Sequence, residues 1–237
     1  RYQHLGEELT LAEYRVQRRV GEYVHDHLQQ LIIGARLRAS ALHNKLGDAA
    51  SKELGILEDI LEEVQQSVRN VSHSIAPPID VHRDVKMVFG WLAEHMQRLH
   101  GLTVKLHIDG PFDVLPEAKS LFLFSTAREL LFNVAKHAGT DRASLRLGWC
   151  AHHVVLEVRD RGAGFDTNAS TGDAANGLGM FSLKKRAALF GGGALVHSKL
   201  GEGTRALVSV PHACTQRNGG GASHGKRLGG VAAKQLL

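Results

Sequence analysis

A lone carboxylate closes an alternating run near the middle of the chain. Val154, Leu156 and Val158 face one way and His153, Glu157 and Arg159 the other. Asp160 then precedes Arg161-Gly162-Ala163-Gly164-Phe165. The alternation predicts a half-buried strand. Two glycines just beyond it let backbone come close to a ligand. Asp160 would then lie at the floor of a pocket, able to accept a hydrogen bond from an exocyclic amine such as that of adenine. The same Asp-x-Gly pattern also makes an ordinary turn. Upstream, Arg128 to Ala138 reads as a helix with Glu129, Asn133, Lys136 and His137 on one side and Leu130, Leu131, Val134 and Ala138 on the other. A carboxylate, an amide and two cationic or protonatable groups on one stripe suit a divalent ion and phosphates. Downstream, Gly177-Leu178-Gly179-Met180 precedes a helix expected over 181–190. Glycines before a helix N-terminus let amide N–H groups and the helix dipole meet phosphate.

A third group of candidates lies near the start of the chain, in Glu22-Tyr23-Val24-His25-Asp26-His27-Leu28-Gln29-Gln30-Leu31. With Val24, Leu28 and Leu31 on the apolar seam of a helix, His25 falls about 100° away on an accessible flank. A neutral imidazole nitrogen is a good nucleophile. Asp26 is placed to hold the ring and take its proton, and Gln30, four residues on, shares the face of Asp26 and could orient a water. An isolated His-Asp pair on a charged helix is otherwise a solvated surface feature. His27 is a competing acceptor.

Taken together, Glu129-x-x-x-Asn133-x-x-Lys136-His137-Ala138, Asp160-x-Gly162-x-Gly164-Phe165 and Gly177-Leu178-Gly179-Met180 resemble the N, G1 and G2 boxes of the ATP-binding domain shared by sensor histidine kinases, gyrase and MutL. Gly201-Glu202-Gly203-Thr204 is similar to that family's closing glycine–threonine turn, although a plain hairpin would use the same glycines. The helix with His25-Asp26-x-x-x-Gln30 resembles the dimerisation and phosphoacceptor segment of the histidine-kinase subfamily that signals to regulators with a helix-turn-helix output. Pro77-Pro78 is similar to that subfamily's junction, with Ala76 where members often carry Arg.

The resemblance implies an α+β protein: an N-terminal helical hairpin forming a dimeric four-helix bundle, then an α/β sandwich ATP-binding domain of the Bergerat type. It implies a sensor histidine kinase core that autophosphorylates His25 from ATP, passes the phosphoryl group to an aspartate of a response regulator receiver domain, and also acts as regulator phosphatase. Asn133 would hold Mg2+. Asp160, Gly162, Gly164, Gly177, Gly179, Met180 and Thr204, with Lys136 and His137, would bind the nucleotide. Glu129 is a general base or a group behind the magnesium. Lys136 and His137 also suit a helix C-terminus through the dipole alone, and Met180 and Phe181 suit pocket lining and core. Two other classes compete: a gyrase- or MutL-type ATPase clamp, which lacks the upstream His-Asp-x-x-x-Gln hairpin, and a non-catalytic dimer module that only senses nucleotide.

The elements that must position these residues follow from periodicity. Residues 8–47 read as one long helix with Val16, Val20, Val24, Leu28, Leu31, Ala35 and Leu42 along one stripe. After Gly47-Asp48, Leu54, Leu57, Leu61, Val64, Val68, Val71 and Ile75 keep a 3.5-residue seam that favours a coiled coil or bundle. This sets domains at 1–76 (hairpin), 77–80 (hinge), 81–212 (ATP-binding) and 213–237 (a low-complexity tail). Within the second domain the expected order is a helix over 81–100, a strand over 102–108, a helix over 117–138, strands at 142–149 and 153–159, a polar lid over 163–176, a helix at 180–190, and a closing hairpin of strands at 194–200 and 204–210.

Composition narrows the classes further. The 237 residues carry a formal net charge of +5 and are 43% hydrophobic, enough to build a core. Lys and Arg are dispersed along the sequence and aromatics make up only 5%, so no nucleic-acid footprint is evident. Cys150 and Cys214 form neither a disulfide framework nor a metal set, which fits a reducing cytoplasm. No run approaches the ~18 apolar residues of a membrane span. A start at Arg1 rather than Met suggests the cytoplasmic piece of a larger sensor, with or without a membrane anchor.

Overall fold

A computed structural model of the chain describes residues 2–46, 51–75, 84–112, 115–150, 152–166 and 174–212. The hinge at 77–80, residues 167–173 of the expected lid and the 213–237 tail lie outside these residues. The chain divides into two compact units, Ala12–Pro78 and a second one comprising Arg1–Leu11 with Ile79–Leu237.

The helical unit is built from helix α1 (Tyr2–Leu46), from Ala12 onward, and helix α2 (Ser51–Ile75). Helix α1 starts earlier than the apolar stripe predicts, because nothing between Tyr2 and Leu11 breaks it: there is no proline, and Leu5 and Leu9 continue the pattern. Ile32, Ala39 and Leu54 are buried, and Arg36 Nη1 donates to Gln65 Oε1 at 3.2 Å across the pair. The predicted stripe is not what the single chain buries: Val16, Val20, Leu28, Leu31, Leu42, Leu57 and Val64 are all exposed. Two helices touch along one narrow line, so a stripe wider than that line stays on the surface. Val24, Leu28, Val64 and Val68, with Glu63 and Ser67, line an open groove of about 310 Å³ along this surface.

The second unit is a sheet with helices packed on it. Helix α3 (Val85–His100) begins where the Asp84 side chain accepts from the Met87 amide at 2.8 Å, and it stops at Gly101, which takes φ 65°. Strand β1 (Thr103–Asp109), helix α4 (Glu117–His137), strands β2 (Arg142–Cys150) and β3 (His153–Asp160), helix α5 (Ala174–Leu189) and strands β4 (Gly193–Lys199) and β5 (Gly203–Pro211) follow. The five-stranded sheet runs β1-β2-β3-β5-β4. Its β1–β2 pair is parallel, across the α4 crossover, and the other pairs are antiparallel. Leu145, Leu147, Val154, Leu156, Val158, Ala206 and Val208 on its inner side meet Val88, Phe89, Leu92, Phe122, Leu131, Leu183 and Phe190 in the core. Burial of this apolar layer, at about 25 cal/mol per Å2, supplies the driving force. A helical N-terminal region followed by a mixed α/β sheet unit is thus the architecture.

The register also aligns charges that are far apart in sequence. Lys105, Ser144, Arg159, Arg205 and His197 stand in one row across all five strands. Arg205 Nε donates to Glu157 Oε1 at 2.8 Å, while Lys105, Arg159 and His197 are exposed. Lys105, Arg159 and Arg205, far apart in sequence, therefore share the outer sheet face.

Candidate functional site

Strand β3 ends on Asp160, and burial of the alternating Val154, Leu156 and Val158 fixes where that end lies. Asp160 is only 4% exposed. Its Oδ1 accepts the Gly162 amide at 2.8 Å and the Thr204 amide at 3.3 Å. Two donors on one oxygen hold the carboxylate in place. Among the described residues Oδ2 has no such partner, so one acceptor remains for a ligand donor.

The loop after Asp160 is sewn to two other segments. Ala163 donates its amide to Ala138 O at 2.7 Å, and Gly201 donates to Ala163 O at 2.7 Å. Phe165 N donates to Ser198 Oγ at 2.8 Å; that hydroxyl also lies 2.9 Å from Thr204 Oγ1. Glycine is required where these backbones meet. A Cβ on Gly162 would fall 2.1 Å from Ala138 O, and one on Gly164, at φ 60°, 2.1 Å from Lys199 O. Both meet backbone, which cannot move aside as a side-chain tip can. The end of α4, the Asp160 loop and the β4–β5 turn thus converge, bringing Asp160, Gly162, Gly164 and Thr204 together beside the last turn of α4.

Helix α4 carries Glu129, Asn133, Lys136 and His137. Asn133, Lys136 and His137 are exposed, and Glu129 is half-buried and ion-paired with Arg186 of α5. Lys136 Nζ sits 4.5 Å from the centre of the Phe132 ring, itself met edge-on by His100. That cation–π contact places the ammonium one turn back along α4.

Gly177, Gly179 and Met180 do not precede a helix. They lie inside α5, which begins at Ala174 rather than near Met180. Ala174-Ala175 and Leu178 favour helix enough to carry the glycines, each costing about 1 kcal/mol relative to alanine. Gly177 falls at the end of the first turn and Gly179 in the second. Their side-chain surroundings, and Met180's, lie outside the described residues.

In the other unit, His25, Asp26 and Gln30 all lie on α1. Asp26 and Gln30 are exposed; the His25 side chain lies outside what is described. His27 stacks on Tyr23 one turn earlier, with ring centres 5.3 Å apart. Two side chains that sequence reasoning passed over belong to the site: Ser198, which braces the Asp160 loop, and Arg186, which reaches Glu129 from 57 positions away. Sequence spacing carries no signal for either, since each contact is made only by the fold.

Among the described residues one titratable group is shifted clearly, and it lies at the far end of β3. His153 is held below the ordinary imidazole value of 6.5, chiefly by burial and then by His212, His152 and Lys119 nearby.

Among known proteins, residues 118–213 match the family described as "Histidine kinase-, DNA gyrase B-, and HSP90-like ATPase". The matched stretch runs from helix α4 to the end of strand β5 and includes Asp160 and its loop. The chain is 30% identical over 212 residues to "Sensor histidine kinase NarS" of Mycobacterium tuberculosis, covering 87% of this chain and 47% of that protein. It is 24% identical over 205 residues to "Oxygen sensor histidine kinase NreB" of Staphylococcus carnosus, covering 84% and 57%. A third relative, "Signal transduction histidine-protein kinase/phosphatase DegS" of Brevibacillus brevis, is 23% identical over 217 residues, covering 88% and 54%. The chain spans about half the length of these curated relatives. The chain as a whole is thus related to the sensor histidine kinases of two-component systems. No described helix is long and apolar enough to cross a membrane.

Proposed function

We propose that this chain is the catalytic core of a sensor histidine kinase, using ATP to phosphorylate His25 and passing the phosphoryl group to an aspartate of a response regulator. The observation that carries the reading is the cradle around Asp160: a buried carboxylate fixed through one oxygen, beside the helix with Asn133, within a stretch that matches an ATPase family. A donor such as the adenine amine suits the remaining oxygen. Glycines 162, 164, 177 and 179 let backbone approach the nucleotide, with Lys136, His137, Met180 and Thr204 completing the site.

In the transfer, a His25 ring nitrogen bonds to the γ-phosphorus as the bond to the β–γ bridging oxygen breaks and ADP leaves. The imidazole N–H proton passes to Asp26. Asn133 is the residue that would hold Mg2+, which would supply charge screening to the phosphates. Gln30 orients water for the reverse, hydrolytic attack on the phosphorylated regulator. The apolar groove along Val24, Leu28, Val64 and Val68 supports a homodimer in which a second hairpin completes a four-helix bundle. By relationship to the helix-turn-helix-signalling subfamily, the partner is a regulator of that kind, the site of action is the cytoplasm, and residues 77–80 form the hinge.

Incubation with γ-labelled ATP tests this. The full chain should take up acid-labile label; His25→Gln should take up none while binding ATP as before; Asp26→Asn should transfer roughly 10²–10⁴-fold more slowly. Gln30→Ala should label normally and fail to dephosphorylate the regulator. Acid-labile label persisting on His25→Gln would move the acceptor, with His27 the nearest candidate.

A further inference from the structure

The Glu129–Arg186 pair is not explained by stability. Arg186 Nη2 donates to Glu129 Oε2, yet the two side chains are 36% and 41% exposed. Ion pairs this open to water contribute little to folding. Arg186 Nε is meanwhile buried without an acceptor among the described residues, which is unfavourable. The guanidinium is held where it is at some expense.

Its position in the fold suggests what it does there. Helix α5 is anchored by Leu183, Ala187 and Phe190, all buried, and the Phe190 ring stacks on Phe122 of α4 at 4.6 Å. Arg186 lies between the buried Leu183 and Ala187, two turns beyond Gly179 on the same face. Glu129 lies one turn before Asn133 on α4. The pair therefore joins the helix that carries the phosphate-side glycines to the helix that carries the magnesium-side amide, through the Glu129 carboxylate. A free glutamate has several rotamers, and arginine's planar fork selects one of them.

We infer that Arg186 is a positioning residue: it fixes the Glu129 carboxylate in the orientation that phosphoryl transfer uses. This rests on the kinase reading above. Arg186 need not touch the nucleotide; it acts through Glu129, and it makes the transfer rate depend on the placement of α5.

The test uses the full chain with Mg-ATP, measuring affinity by calorimetry, label uptake in a single turnover, and the melting temperature. Arg186→Gln should bind Mg-ATP within about threefold of the parent and transfer on the order of 10²-fold more slowly, the loss expected for a misplaced reacting-centre group. Its melting temperature should stay close to the parent's. Arg186→Lys should recover part of the rate. The exchange Glu129→Arg with Arg186→Glu should restore the ion pair and the melting temperature but not the transfer, because the position of Glu129 would then lack an acceptor. Parental transfer by Arg186→Gln, or full transfer by the exchanged pair, would overturn the inference. Equal losses of affinity, rate and melting temperature in Arg186→Gln would do so as well, by making the bridge merely structural. If the parent itself takes up no acid-labile label, it is the kinase reading that fails.

Discussion

Replacing Asp160 by Asn separates two tasks that one carboxylate performs. Oδ1 accepts the amides of Gly162 and Thr204, and Oδ2 is left for the ligand. Asparagine keeps one carbonyl oxygen, which the two amides can claim, so the internal cradle survives with weaker, neutral hydrogen bonds. Its NH2 group then stands where Oδ2 stood, a donor facing the donor of adenine. A charge-assisted hydrogen bond contributes about 1.5–3 kcal/mol. At 1.4 kcal/mol per tenfold, Kd for ATP should rise roughly 10- to 150-fold, while the melting temperature falls only a few degrees. Asp160→Ala should lose both: the same affinity, and in addition about 2–4 kcal/mol of stability, because two amides around a 4% exposed site lose their acceptor. Calorimetry with ATP and thermal unfolding without it measure the two effects independently. If Asp160→Asn binds ATP within twofold of the parent, Asp160 does not read the base. If Asp160→Ala melts like the parent, the cradle does not hold the loop.

Two further outcomes are expected. Because the folded-state pKa of His153 lies below 6.5, the unfolded chain binds a proton there first as pH falls. This contribution to stability is full above pH 6.5 and is lost as pH drops from 6.5 towards the lowered value; His153→Gln should flatten the decline in melting temperature between pH 7 and 5, and an unchanged profile would show that another group controls it. Val64, 42% exposed and lining the hairpin groove, should tolerate Asp in the single chain, but a charge buried between two hairpins costs several kcal/mol. Val64→Asp should therefore raise the dimer Kd at least 100-fold; a parental mass by light scattering at micromolar concentration would place the dimer contact elsewhere.

Much of this protein could be read before any coordinates. The period-2 alternation from Val154 to Val158 marked β3, the amphipathic spacing over 81–100 marked α3, found at Val85–His100, and the pattern over 117–138 marked α4, because each depends on neighbours within a turn or two of the chain. The Asp160-x-Gly162-x-Gly164 spacing was legible for the same reason: it reflects local backbone geometry at a strand end. Helix α5 was misplaced because Gly177 and Gly179 look like breakers locally, whereas Leu183, Ala187 and Phe190 dock the helix in the core and help carry it back to Ala174. Likewise the α1 stripe predicted which residues are apolar but not which of them one hairpin can cover. What only the tertiary structure decided are contacts between segments far apart in sequence. These are the Thr204 amide on Asp160, the Ala138 carbonyl against Gly162, the Arg186 guanidinium on Glu129, and the row of Lys105, Arg159, Arg205 and His197 across the sheet. Their sequence separations have no period, and strand register and helix docking, set by burial of the shared core, are what bring them together.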